Sequence, residues 1–93
     1  MLRLNCFIKT TPENRTTVAE AARKLVAESL REEGCVDYGL FISDRTPDIM
    51  MICETWADRE ALDRHSASEH FAKYVGIMRA NSEMHLNTME MPR

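Results

Sequence analysis

The chain has 93 residues, enough for one small domain spanning residues 1–93, and a formal charge of −3 at pH 7. That balance leaves no basic footprint for nucleic acid, no apolar run reaches the roughly 18 residues needed to cross a bilayer, and the N-terminus lacks the apolar core of a signal peptide. Three cysteines, Cys6, Cys35 and Cys53, are odd in number and not at metal-ligand spacings, so reduced thiols in a cytoplasmic setting are expected rather than a disulfide framework.

In chain order, residues 2 to 9 alternate with period two and read as a strand: Leu2, Leu4, Cys6 and Ile8 share one face, and Arg3, Asn5, Phe7 and Lys9 the other. Thr11-Pro12 then predicts a helix start, with threonine as cap and proline in the first helical position. Val18, Ala21, Ala22, Leu25 and Ser29 form its inward stripe, and Gly34 ends it. Residues 35 to 43 make a second strand, with Val36, Tyr38, Leu40 and Ile42 on one face. A turn at Pro47 leads to a third strand over residues 49 to 56, so the two form a hairpin. Asp58 caps the next helix. The Ser66 to Glu69 stretch has the form of a capping box, which breaks that helix just after His65 and starts another. Residues 83 to 91 alternate again as a fourth strand, with Met84 and Leu86 opposed to Met89 and Met91.

The order β-α-β-β-α-β predicts an α+β, ferredoxin-like fold: four antiparallel strands with the helices on one face. The strands are apolar on both faces. Ile49, Met51 and Cys53 point one way, and Met50, Ile52 and Trp56 the other, while Phe41 opposes the Val36 to Ile42 set. Helices on one side leave the second face uncovered, and the same face of a second copy would cover it, giving a two-fold homodimer.

Few residues carry chemistry. Glu54 and Trp56, two apart on a strand, share a face, so the carboxylate sits among Met50, Ile52 and Trp56. Burial there raises its pKa unless a cation compensates, and a structural ion pair is as good a reading as a reactive group. His65, three and four residues after Leu62 and Ala61, lies on the inward stripe of its helix. It is either a satisfied core residue or a base, since imidazole titrates near neutral pH. His70 is five residues further on, across a helix break. The two-histidine spacing of metal motifs is therefore absent, and no metal is expected. Tyr38 reads as core with its hydroxyl satisfied, or as an aromatic wall. No G-x-G-x-x-G, phosphate loop, G-x-S-x-G or C-x-x-C occurs, so nucleotide, flavin and serine-nucleophile chemistry have no signature.

The stretches "EEGCVDYGLF" and "IMMICETWADREALDRHSASEHFAKYV", with the order of elements, resemble the antibiotic-biosynthesis-monooxygenase (ABM) family, especially its small quinol-monooxygenase-like members. Glu54, Trp56, His65, His70 and Phe71 match the family pattern. The resemblance implies a dimeric α/β barrel. It also implies an oxidoreductase: a cofactor-independent monooxygenase acting on a small phenolic or quinol-type substrate. His65 would be the base and Glu54 its helper, with Trp56, Tyr38, His70 and Phe71 around the substrate. Haem is not expected. The haem-degrading branch has a tryptophan where this chain has His65, and its ligating histidine and its asparagine fall near Val75 and Cys6. Two other readings stand beside it. One is an isomerase of a small hydroxyketone or signalling sugar using the same His65 and Glu54; the other is a non-enzymatic, ligand-binding dimer.

Overall fold

A computed structural model of the protein describes residues 1–90, and the Met91 end of the last predicted strand lies outside the described residues. The elements are β1 (Leu2–Lys9), α1 (Arg15–Ser29), β2 (Cys35–Ile42), β3 (Ile49–Trp56), α2 (Arg59–Ser66), α3 (Glu69–Asn81) and β4 (Glu83–Glu90). The four strands form one antiparallel sheet in the order β2-β3-β1-β4, the ferredoxin-like arrangement that the alternation predicts, with the second helix divided in two. No helix among the described residues is long and apolar enough to cross a membrane.

The period-two pattern sets the inward face. Leu2, Leu4, Cys6 and Ile8 of β1 are buried, and their cross-strand partners in β3 are Trp56, Glu54, Ile52 and Met50, buried in turn. Tyr38 pairs with Glu54 and Leu40 with Ile52, so β2 continues the same face. Val18, Ala21, Ala22, Leu25 and Ser29 of α1 cover this layer, as their helical spacing requires, and Val75 and Met78 of α3 complete it. Full burial of side chains such as Leu25 and Met78 stabilises by about 1.5–3 kcal/mol each.

Three local expectations shift. The regular part of α1 begins at Arg15 rather than at Thr11-Pro12. The Asn14 and Arg15 amides donate to the Thr11 carbonyl, which closes a turn ahead of the helix, and Asn14 stands at the cap position without a side-chain bond. Likewise α2 runs on through Ser66, and the cap of α3 is Ser68, whose Oγ accepts the Phe71 amide at 3.2 Å. Val36 leaves the Tyr38 face, because the β2–β3 register shifts between Cys35 and Asp37 and leaves Val36 exposed.

Gly34 has φ of +87°, a conformation in which a side chain is strained. Its Cβ position would lie 2.4 Å from the Ala61 Cβ. Only glycine lets the α1–β2 turn approach α2 this closely, and that approach carries residues 30–33 to the start of the site. Among the described residues nothing covers the far face of the sheet. Phe41, Met51, Phe7 and His85 are successive cross-strand partners along one row, and Phe7 and Phe41 are 47% and 59% exposed.

Candidate active site

His65 occupies the last turn of α2, on the stripe with Ala61 and Leu62 that faces the sheet, and its side chain is 1% exposed. The strand period brings Glu54 and Trp56 beneath it, and the register brings Tyr38 beside Glu54. The Trp56 indole N–H donates to Glu54 Oε1 at 2.8 Å, which satisfies the one polar atom of a fully buried indole. The Trp56 ring lies against His65 with centroids 4.6 Å apart, and Phe71 meets the imidazole edge-on at 5.1 Å. The ring is therefore held on two sides by aromatic packing.

The two nitrogens of His65 face different surroundings. Nδ1 lies 2.6 Å from Oε2 of Glu32, in the turn after α1. A carboxylate can only accept, so Nδ1 carries the proton and donates. Nε2 is then left with its lone pair, 3.4 Å from the Tyr38 hydroxyl and 4.0 Å from Glu54 Oε1. The His65 carbonyl accepts from Ser68 Oγ at 2.6 Å, so the hydroxyl that caps α3 also ties down the end of α2.

Burial drives the titration of the groups around Nε2. It raises the Glu54 carboxyl above its ordinary value, partly offset by the Trp56 N–H and by His65. Burial, with Glu54 nearby, also pushes the Tyr38 phenol well above its usual range, so it stays protonated. Cys6 is raised chiefly by burial, and Cys35 is pushed up to about 11 for the same reason, so neither is an activated thiol.

His65, Glu54, Tyr38 and Phe71 line a cavity of about 150 Å³ between the sheet and the helices. Its other walls are mostly apolar, including Leu25, Ile52 and Met78, and exposed Arg79 and Leu86 border it between α3 and β4. The structure thus gathers His65, Glu54, Tyr38 and Phe71 about one space. Trp56 stands behind them, bonded to Glu54 and packed on His65, and is not part of the wall. His70 is outside the cavity, at a surface depression shared with Glu28, Glu69, Lys73 and Tyr74. The two histidines nevertheless meet. His70 Nε2 lies 2.9 Å from the same Glu32 Oε2 that holds His65, because the break at Ala67 turns α3 back toward the α1–β2 turn. Glu32 is the residue that sequence reasoning missed. It is separated from His65 by 33 positions, and nothing local distinguishes it from Glu33.

The family model "Antibiotic biosynthesis monooxygenase" matches residues 1–76. YcnE of Bacillus subtilis (strain 168), which bears a provisional monooxygenase name, is 33% identical over 75 residues, covering 81% of this chain and 79% of that protein. Among solved structures, a conserved protein of unknown function from Bacteroides thetaiotaomicron VPI-5482, suggested to be an oxidoreductase, superimposes with a TM-score of 0.95 at 46% identity, over 97% of this chain and 96% of that one. A crystal structure of an antibiotic biosynthesis monooxygenase gives a TM-score of 0.91 at 30% identity, with both chains fully covered. With the family model matching residues 1–76 and a 33% identical relative covering 81% of it, the chain belongs to the antibiotic biosynthesis monooxygenase family.

Proposed function

We propose that the protein is a monooxygenase for a small phenol or quinol, with His65 as general base and no cofactor in the reaction. The observation that carries this reading is the orientation of His65: Nδ1–H is tied to Glu32, which leaves Nε2 as an acceptor at an apolar cavity. Such a base removes the phenolic proton. The phenolate is electron-rich and passes an electron to dioxygen; recombination forms a carbon–oxygen bond at an open ring position. Loss of water from the resulting hydroperoxide gives a quinone. One oxygen atom ends in the product and one in water, and all the electrons come from the substrate. A cavity of about 150 Å³ matches one aromatic ring, since an engineered void of roughly that size accepts benzene. Its apolar walls keep water from the anion and the peroxide.

Tyr38 and Glu54 hold the substrate hydroxyl or its anion in place, and Phe71 supplies a ring wall. Two copies associate through the uncovered sheet face, where Phe7, Met51 and Phe41 form an apolar row. An oxygen electrode with a panel of one-ring phenols and quinols tests the reading. Oxygen uptake with quinone formed in equal amount is expected.

One observation favours a second reading. A carboxyl of raised pKa stands 4.0 Å from Nε2, and an acid beside a base also suits isomerisation of a hydroxyketone. Turnover of such a compound under argon, with no uptake on any phenol, would replace the first reading by the second.

A further inference from the structure

Glu32, His65 and His70 come from three separate segments, and their ligating atoms all lie within 4.8 Å of one another. One carboxylate oxygen serves both imidazoles, at 2.6 and 2.9 Å. Among the described residues no lysine or arginine pairs with Glu32. Glu28 and Glu69 add negative charge at the adjoining depression, and the nearby Lys73 ammonium is drawn over the Tyr74 ring at 5.3 Å. Two imidazoles and a carboxylate, with side chains of His70 and Glu32 reaching solvent at 22% and 16% exposure, are the donor set of a zinc site with an open position. Bonds of about 2.1 Å set tetrahedral donors roughly 3.4 Å apart, so the two contacts to Glu32, at 2.6 and 2.9 Å, lengthen by less than about 1 Å while the two imidazole nitrogens, within 4.8 Å of each other, close by up to about 1.4 Å. The far nitrogen of His65 already faces what a liganding histidine requires, an acceptor for its N–H: Glu54 Oε1 at 4.0 Å, with the Tyr38 oxygen at 3.4 Å.

We propose that Glu32, His65 and His70 bind one divalent transition-metal ion of the zinc class, and that occupancy turns the cavity-facing nitrogen of His65 from an acceptor into a donor. When the ion takes the Nδ1 lone pair of His65 and the Nε2 lone pair of His70, each neutral ring carries its proton on its other nitrogen. His65 Nε2 then bears hydrogen and cannot remove a proton from a molecule in the cavity. The same three residues thus have a metal-free state with a base and a metal-bound state without one. The second half rests on the functional reading above; the binding half does not.

Zinc sulfate titrated calorimetrically into the chelator-stripped full chain at neutral pH tests the site without any substrate. One ion per chain with micromolar or tighter affinity is expected, weakened at least about tenfold in Glu32→Gln and in His70→Ala. Circular dichroism checks that both variants remain folded. Nitrogen-15 NMR of the histidine rings is expected to show the proton of His65 moving from Nδ1 to Nε2 as zinc is added. Absence of binding, or equal affinity in the wild type and both variants, would overturn the site. Binding with an unchanged His65 tautomer would overturn the switch. Neither outcome depends on turnover, so a failure of the oxygenase reading remains separate.

Discussion

The His65 ring is packed by Trp56 and Phe71, and its Nδ1 is fixed by Glu32 at 2.6 Å, so the proposed base at Nε2 has a direct test. If His65 acts as the proposed base, His65→Ala is expected to lower turnover by about 10²–10⁴-fold, with the circular dichroism of the folded wild type retained. If the variant folds and keeps its rate, His65 is a packing residue and the base is elsewhere. Glu54 gives a second test through pH. Its native pKa is raised above the ordinary 4.5 by burial, so the folded chain holds this proton more tightly than the unfolded chain. The resulting stability is full below 4.5 and is lost as pH rises through the native value. With chelator present, the melting temperature of the wild type should therefore fall relative to that of Glu54→Gln as pH is raised from about 4 to 8; parallel curves would show that Glu54 titrates normally. Sequence alone shows the Glu54–Trp56 face, because strand period is local, and the inward stripe of His65, because helix period is local. It does not show Glu32, whose partnership depends on how closely the α1–β2 turn approaches α2. Nor does it show His70 beside it, since a spacing of five excludes a shared face only on an unbroken helix.

Two positions join the elements around the site, Gly34 between the α1–β2 turn and α2, and Ser68 between α2 and α3. Gly34 permits the turn, and Gly34→Ala is expected to destabilise by at least about 1–2 kcal/mol for the left-handed backbone alone. The 2.4 Å approach to Ala61 adds to this and pushes Glu32 away from His65. Chemical denaturation measures the first effect; wild-type stability in the variant would show that the turn can relax. Ser68 Oγ both caps α3 and holds the end of α2, so Ser68→Ala should lose about 0.5–2 kcal/mol and loosen His65 as well. The elements themselves are mostly legible in the sequence: alternation gives β1, β2 and β4, the apolar run after the Pro47 turn gives β3, and Asp58 gives the start of α2, where its Oδ1 accepts the Ala61 amide at 2.8 Å. Their ends are less so. Thr11, Ser66 and Ser68 are all competent caps by residue type, and tertiary contacts choose among them.

At the scale of the whole molecule, the sheet has a helix-covered face and a bare one. The row Phe41–Met51–Phe7 is contiguous across three strands, and exposed apolar area of this kind marks an association surface. Light scattering at micromolar concentration is expected to give twice the chain mass, and Phe41→Glu, which sets a charge at the β2 end of this exposed row, should return the chain mass with its secondary structure kept. A monomeric wild type would sink the dimer. The two edges of the sheet also differ from its centre. Among the described residues β4 is hydrogen-bonded in the sheet to β1 alone, yet Met84 and Leu86 on this strand wall the cavity. A strand held by one ladder opens at lower free energy than one held by two. Amide hydrogens of β4 should therefore exchange with deuterated solvent far sooner than those of β3. Occupation of the cavity by a one-ring phenol should slow β4 most, because the molecule that fills the space also rests against the wall that yields.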